Sequence, residues 1–209
     1  MNKLFIIGLP RTGTTSVSAA ILDCGLKVAH TALTKESFRL ADAISDTPCF
    51  CDYRQLDKLF PSSKFVYLDR DITSWIPSIR MLLTKMQSYL DKPHHFNPVL
   101  KRCFTDTFEL KNDIDTLSDA HLSYCYQKHQ HQVFEYFSQR NDLLRINVKD
   151  KNSLRDLFSF INIPSPTSSA FPHLNSGRMI TAWKDIKHPN KVDSNAFGKH
   201  RKQFFDYSQ

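Results

Sequence analysis

The residues best suited to chemistry lie near the start of the chain, where an apolar run gives way to a loop and then to a helix-forming stretch. Residues 4–7 are apolar, the chain turns at Gly8, and residues 17–22 favour a helix. In a strand–loop–helix of this kind, backbone N–H groups and the positive end of the helix dipole converge on one anion. Residues 8–15 also match the P-loop pattern G-x-x-x-x-G-K-S/T at every position but one. The sequence therefore predicts a phosphate-binding loop.

The exception is the lysine of that pattern, whose place is taken by Thr14. Arg11 is the only strong cation within the loop. A nucleoside triphosphatase normally needs the lysine beside the β- and γ-phosphates, together with an Asp that helps to hold Mg²⁺. The loop therefore favours a phosphate ester other than ATP or GTP, although Arg11 could also be no more than a solvated loop cation.

Residues 8–16 resemble the loop with which sulfotransferases bind the 5′-phosphosulfate of 3′-phosphoadenosine 5′-phosphosulfate (PAPS). A second segment is similar to the 3′-phosphate motif of the same enzymes. Arg70 closes a predicted strand over residues 64–68, and Ser78 follows eight residues later. Ser74 lies on the same helical face as Ser78 and is the alternative hydroxyl. The alternative for Arg70 is a surface ion pair with a neighbouring aspartate.

Further short elements extend the resemblance from residue 4 to about residue 175. They are Asp46-Thr-Pro48, Phe60-Pro61, Tyr126-x-x-His129 and Phe171-Pro-His-Leu-Asn175. In this combination the chain is similar to a small bacterial-type sulfotransferase-like P-loop family within the PAPS-dependent sulfotransferase superfamily.

The resemblance implies a three-layer α/β P-loop fold, with a central, mostly parallel sheet flanked by helices. It also implies an enzyme that moves a sulfuryl group from PAPS to a hydroxyl or amine of a small-molecule or carbohydrate acceptor, with no metal required. Arg11 is then expected to act in catalysis as well as in binding. The implied donor-binding residues are Pro10, Arg11, Thr12, Gly13, Thr14, Thr15, Ser16, Arg70, Ser78 and Arg178.

Transfer to a hydroxyl requires the acceptor to lose a proton, so a general base is expected. The resemblance implies a His or a Glu as this base, and the sequence matches neither signature cleanly. Asp46 falls at about the position where the carbohydrate-type members of the superfamily carry their carboxylate, and it is the first candidate for a catalytic base. Asp52 and His30 are the alternatives. Asp46 could instead be a turn residue whose side chain bonds its own backbone.

The wider pattern alternates strands with helices, which predicts a parallel sheet. Predicted strands cover residues 4–7, 26–30, 64–68 and 143–148, and predicted helices cover residues 14–24, 37–44, 54–60, 71–86, 120–140 and 153–161. Ligands of such sheets bind outside the carboxyl ends of the strands, where both phosphate motifs lie. We expect a single domain over residues 1–209, with a variable helical or loop insertion near residues 93–119.

The composition is that of an ordinary globular α/β domain of 209 residues, and it narrows the choice of partners. The net charge is +7, but no block of five or more Lys or Arg occurs, so we expect no nucleic-acid binding.

No run approaches the ~20 apolar residues of a membrane span, and we expect a cytoplasmic protein. The five cysteines and nine histidines lack the spacing typical of zinc ligands, so no metal site is expected. The oligomeric state is not indicated.

Three functions remain open from the sequence alone. The first is a PAPS-dependent sulfotransferase. The second is a P-loop kinase or nucleotide hydrolase, which Thr14 disfavours. The third is a non-catalytic protein that binds adenosine 3′,5′-bisphosphate, PAPS or a partner protein, and it stays open because the base is not identified cleanly.

Overall fold

The computed structural model describes residues 2–90, 92, 95–110, 115–164, 170–172 and 182–196. Its strands are β1 (Leu4–Ile6), β2 (Val28–His30), β3 (Ala43–Ser45), β4 (Lys64–Asp69) and β5 (Leu143–Asn147). Its helices are α1 (Thr14–Asp23), α2 (Lys35–Leu40), α3 (Cys49–Leu59), α4 (Ile72–Leu90), α5 (Pro98–Thr107), α6 (Asp119–Tyr136), α7 (Ser153–Phe160) and α8 (Ala182–Asp185).

The five strands form one parallel sheet in the order β2-β3-β1-β4-β5. β1 is the central strand, and the chain winds from it first toward β2 and later toward β5. Successive side chains of a strand point to opposite faces, so Phe5 and Ile6 of β1 enter different core clusters. Because all strands run in one direction, all of them end at the same edge. The predicted α/β class with a parallel sheet is confirmed.

Helices cover both faces of the sheet. On one face, Ile21 of α1 and Phe158 of α7 join Val66 of β4 in a buried apolar cluster. On the other face, Leu56 of α3 and Val133 of α6 join the side chains that point the opposite way. The result is the predicted arrangement of three layers, with a helix layer on each side of the sheet.

A third buried cluster lies at the carboxyl edge of the sheet, between α4, α5 and α6. It includes Trp75 of α4, Phe104 of α5 and Tyr126 of α6, together with Leu9 from the loop after β1. α4, with 19 residues, is the longest of the described helices. None of the helices described here is long and apolar enough to cross a bilayer.

The predicted helix over residues 37–44 is wrong in its C-terminal half. α2 ends at Leu40, and Ala43–Ser45 forms β3 instead. Three residues are too few to show the alternation by which a strand is recognised in a sequence. β3 depends on pairing, since it lies between β1 and β2 and hydrogen-bonds with both.

The segment predicted as an insertion near residues 93–119 contains a regular helix, α5. The Asn97 side chain caps this helix by accepting from the N–H of Val99 at 2.9 Å, and Pro98 occupies the first turn. Cys103 and Phe104 are buried in the cluster with α4. This part of the segment therefore belongs to the packed helices that border the sheet edge.

His129 on α6 shows how strongly the core disfavours charge. Its Nε2 lies 2.8 Å from the carbonyl oxygen of Phe50, and Nδ1 has no hydrogen-bond partner among the described residues. Burial lowers the pKa of His129 to about 4. The imidazole is therefore neutral near pH 7 and donates from Nε2 to Phe50.

This burial predicts a specific loss of stability in acid. An unfolded histidine has a pKa of about 6.5, so the unfolded chain takes up a proton first as the pH falls. The stability that neutral His129 contributes is complete above about pH 6.5 and is lost toward pH 4, by roughly 3 kcal/mol. Urea unfolding at several pH values measures this loss. His129→Gln keeps a hydrogen-bond donor for the Phe50 carbonyl but removes the titrating imidazole. The variant should therefore lose less stability over the same pH range. An equal loss in the variant would contradict the assignment.

Candidate functional site

All five strands deliver polar residues to one cleft at the carboxyl edge of the sheet. Each strand contributes a residue at or after its end to the lining of this cleft. In the order β1 to β5, these residues include Arg11, His30, Asp46, Arg70 and Asn147. The cleft has a volume of about 1480 Å³. Parallel α/β sheets bind their ligands at this edge. Both predicted phosphate motifs therefore face the same space.

The loop after β1 leads directly into α1. Gly13 precedes this helix with a φ of 112°, and no side chain caps the helix there. A Cβ on Gly13 would lie 2.9 Å from the methyl carbons of Val148, so both the backbone and the packing require glycine. Within the loop, the N–H and the hydroxyl of Thr12 both donate to the carbonyl of Leu9, at 3.2 and 2.6 Å. The first turn of α1 lines the cleft, where the helix dipole favours an anion.

The β4–α4 segment holds the backbone of this loop. Trp75 is fully buried, and its Nε1 donates to the carbonyl of Pro10 at 2.9 Å. Arg70 donates from Nη1 to the carbonyl of Arg11. The position of the loop relative to β4 is thus set by hydrogen bonds as well as by packing.

Arg11 and Arg70 each bond to one of the two candidate serines on α4. Arg11 Nε donates to Ser78 Oγ at 2.9 Å. Arg70 donates from Nε to Ser74 Oγ at 3.2 Å and from Nη2 to the backbone carbonyl of Ser74 at 2.9 Å. Ser78, which the sequence paired with Arg70, therefore contacts the cation of the loop, and the alternative hydroxyl of Ser74 contacts Arg70.

The two arginines make the cleft strongly favourable for an anion. Burial lowers the pKa of Arg11, the charge of Arg70 lowers it further, and Asp46 partly offsets both effects. Burial also lowers the pKa of Arg70. Arginine nevertheless stays protonated in proteins, so both side chains keep their charge. An anion bound between them would offset the repulsion and part of the loss of solvation.

Asp46 and His30 meet beside the start of α1. His30 Nε2 lies 3.9 Å from Asp46 Oδ2, and 3.3 and 3.1 Å from the hydroxyl oxygens of Thr14 and Thr15. Burial lowers the pKa of His30, and the nearby Asp46 raises it only in part. The imidazole is therefore neutral near pH 7. Its ring also stacks on Trp183, with the centroids 5.2 Å apart.

Three residues that line the cleft have left-handed backbones although none of them is glycine. Arg11, Thr31 and Asp46 have φ values of 71°, 82° and 61°, and each follows a different strand. Such conformations cost on the order of 1–3 kcal/mol each and concentrate at functional sites. Three of the six left-handed non-glycine residues described thus line this one cleft, which supports a functional site there.

A family model described as "Sulfotransferase domain" matches residues 31–180, which is more than half of the chain. The chain belongs to this family. Its general function is therefore that of a sulfotransferase, a transferase of sulfuryl groups. The match spans Asp46, Arg70 and Ser78 but begins after residues 8–16, where the sequence predicts a phosphate-binding loop. Among curated proteins, none matches the sequence.

The sulfotransferase holds Asp52, one of the alternative bases, away from the cleft. Arg102 donates to both carboxylate oxygens of Asp52 at 2.9 and 2.6 Å, and Asp52 is only 1% exposed. The thiols of Cys51 and Cys103 lie close by, with the possible ligand atoms within 4.8 Å of one another. This ion pair joins α3 to α5, and Asp52 is not among the described residues that line the cleft. Asp46 and His30 remain as candidates for the base.

The later elements of the sequence resemblance take different places. The Tyr126 hydroxyl accepts from the backbone N–H of Arg70 at 3.0 Å, so it supports the end of β4 from the core side. Phe171 lines the cleft. Pro172 lines it as well. The last three residues of that element, His173, Leu174 and Asn175, lie outside the described residues, as does Arg178.

The sequence analysis missed the cleft residues that β5 contributes. Asn147, Val148 and Lys149 line the cleft at the end of this strand. They could have been found, because the rule that ligands bind at carboxyl ends applies to every strand of a parallel sheet. Lys184 of α8 also lines the cleft, and no sequence motif indicated it.

The packing of Gly13 predicts a sharp sensitivity of the loop. Gly13→Ala adds both a left-handed strain and a clash with Val148, and it should destabilise the protein by roughly 2–5 kcal/mol. Gly25→Ala is the matched control, because Gly25 also has a left-handed φ of 89° but nothing lies within 4 Å of its Cβ position. Gly25→Ala should lower the free energy of unfolding by only about 1–2 kcal/mol. Chemical denaturation measures both losses, and equal values would show that Val148 does not constrain the loop.

Proposed function

We propose that this sulfotransferase transfers a sulfuryl group from PAPS to a hydroxyl or amine acceptor. One observation carries the proposal: Arg11 after β1 and Arg70 after β4 lie at the ends of neighbouring parallel strands and line one cleft. PAPS is anionic at two separate positions, the 5′-phosphosulfate and the 3′-phosphate. Two cations held at the ends of adjacent strands suit such a molecule.

The donor set of the cleft fits PAPS. The start of α1 and Arg11 suit the 5′-phosphosulfate, since backbone N–H groups and a guanidinium both bind phosphate oxygens well. Arg70, with the hydroxyl of Ser74 or Ser78, suits the 3′-phosphate. Thr14 in the lysine position disfavours the ATP–Mg²⁺ alternative. The proposed donor-binding residues are Pro10, Arg11, Thr12, Gly13, Thr14, Thr15, Ser16, Arg70, Ser78 and Arg178.

The side chains of the loop also suit the reaction itself. When bound, PAPS supplies the sulfuryl group: its bond from sulfur to the 5′-phosphate oxygen breaks, the acceptor atom bonds to sulfur, and adenosine 3′,5′-bisphosphate leaves. Arg11 and the first N–H groups of α1 are placed to stabilise the negative charge that grows on the phosphate side. One preorganised donor of this kind lowers a barrier by about 2.7–4 kcal/mol. Arg11 is therefore proposed as a catalytic residue.

Asp46 is proposed as the base that receives the acceptor proton. Its carboxylate lines the cleft, and its left-handed backbone turns the chain at the end of β3. His30 contacts the hydroxyls of Thr14 and Thr15, which suits it to orient these groups. A carboxylate base in this position typically contributes a factor of about 10²–10⁴ to the rate.

Other expectations from the sequence accompany this proposal. They are a single domain over residues 1–209, turnover without a metal, a cytoplasmic location, and no nucleic-acid partner.

Adenosine 3′,5′-bisphosphate should raise the melting temperature in the absence of magnesium. At about 100 times its dissociation constant, it should stabilise the folded protein by roughly 2.7 kcal/mol. Arg70→Ala should weaken the binding of the bisphosphate more than the binding of adenosine 5′-phosphate, because only the bisphosphate has a 3′-phosphate. Thermal shift and calorimetry measure both effects. Stabilisation by ATP–Mg²⁺ but not by the bisphosphate would overturn the donor assignment.

Asp46→Asn keeps the shape of the side chain and removes its basic oxygen. Turnover of radiolabelled PAPS should fall by about 10²–10⁴-fold, while bisphosphate affinity stays near that of the parent protein. His30→Gln is the comparison variant, and its loss of turnover should be smaller. A larger loss in His30→Gln than in Asp46→Asn would assign the base to His30.

A further inference from the structure

The cleft continues well beyond its phosphate-binding end, and we propose that this second arm binds an extended, uncharged apolar alcohol as the acceptor. The proposal rests on the proposed function and names the acceptor class of the same site. It is carried by the side chains of α4 and α5 that line the arm.

One face of α4 leads from the phosphate end into the arm. Ser74 and Ser78 lie at its start, bonded to the two arginines. The lining residues that follow at spacings of three or four are Met81, Leu82, Lys85, Met86 and Tyr89. At 1.5 Å per residue, the helix rises roughly 16 Å from Ser78 to Tyr89. A molecule that lies along this face would have one end beside the loop and its body in the arm.

Among the described residues, the α5 side of the arm is also apolar. Phe96 lies just before α5, and Leu100 and Phe104 belong to that helix. Met86 and Phe104 are only 8% and 4% exposed. These side chains, with Met81, offer aliphatic, aromatic and thioether surface, which packs well against apolar ligands of variable shape.

Three polar side chains also line the arm. Lys85, Tyr89 and His95 are exposed, and the rings of Tyr89 and His95 stack with their centroids 4.2 Å apart. Lys85 directly precedes Met86 on α4, and its exposed side chain can keep the ammonium group in solvent. The apolar lining residues of the two helices, which carry no strong hydrogen-bond donor or acceptor, include Met81, Leu82, Met86, Leu100 and Phe104.

This lining selects against carbohydrates and favours hydrocarbon. Each sugar hydroxyl buried without a partner would lower affinity by roughly 5- to 150-fold. Each buried methylene instead contributes about 0.8 kcal/mol, which is roughly a fourfold gain in affinity. The sequence leaves a small molecule and a carbohydrate open as acceptors, and the arm favours a small molecule with an apolar body.

The size of the cleft allows donor and acceptor to bind together. A pocket for one drug-sized ligand typically has a volume of about 300–1,000 Å³, and this cleft has about 1480 Å³. With the alcohol in the arm, its hydroxyl would lie at the phosphate end. Its oxygen would then bond to sulfur, and its proton would pass to Asp46.

Calorimetry on the full chain saturated with adenosine 3′,5′-bisphosphate tests the proposal. The ligands are primary alcohols from 1-butanol to 1-decanol, with glucose as the carbohydrate. Affinity should rise by about fourfold per added methylene until the arm is full, and glucose should bind far more weakly. With PAPS as donor, kcat/KM should rise with chain length in the same way.

Substitutions in the arm provide the second readout. Leu100→Asn should lower the affinity for 1-decanol at least tenfold and leave bisphosphate affinity unchanged. Leu59→Asn is the matched control, since Leu59 lies on α3, is 46% exposed and is not among the cleft-lining residues. Met81→Gln serves as a second arm variant if Leu100→Asn does not fold.

Affinity that does not depend on chain length, tighter binding of glucose, or unchanged 1-decanol affinity in the folded arm variants would each overturn the acceptor class. None of these results would affect the donor assignment. Failure of the bisphosphate to bind would instead overturn the proposed function, and the acceptor proposal with it.

Discussion

The site depends on the hydrogen bonds by which the β4–α4 segment fixes the position of the loop after β1. Trp75 and Arg70 donate to the carbonyls of Pro10 and Arg11, and the Arg11 side chain donates in turn to Ser78. These contacts join parts of the chain that are 59 to 67 residues apart. They place the two guanidinium groups in one fixed arrangement. A loop positioned only by its own residues would not hold the second cation at a set distance from the first.

The parallel sheet explains why so many polar residues reach the same place. His30 of β2 is in register with Ser45 of β3, so the residue after that strand, Asp46, comes to lie beside His30. β1 and β4 are paired in the same direction, which places the loop after β1 next to Arg70. Strands that run one way must end at one edge, and Arg11, Thr31 and Asp46, with their left-handed backbones, lie at this edge with the start of α1.

Two features of the site lower the stability of the protein, and a bound anion would offset part of this loss. Two arginines are partly buried beside each other, and three residues have strained backbones. Both features lower the stability of the protein without a ligand. They persist because apolar packing on both faces of the sheet, and among α4, α5 and α6, stabilises the surrounding structure. Rigid surroundings of this kind hold charged groups ready for a ligand, with little reorganisation on binding.

The features that the sequence determined by itself are local ones. The pattern from Gly8 to Thr15 predicts a phosphate-binding loop, because backbone geometry and the helix dipole act within a few residues. Arg70 is recognisable because a clear strand precedes it, and the alternation of helices and strands is enough to indicate a parallel sheet. The family, the fold class and the edge on which the phosphate motifs lie could therefore be predicted.

Only the tertiary structure decided how these pieces meet. β3 is too short to be recognised alone and exists through its pairing with two neighbours. Ser74 and Ser78 share a helical face, so their partners depend on the placement of α4 against the loop. Asp52 is an alternative to Asp46 as the base in the sequence, and its ion pair with Arg102, 50 residues away, holds it outside the cleft. Contacts of this kind depend on how distant segments pack, and no local pattern encodes them.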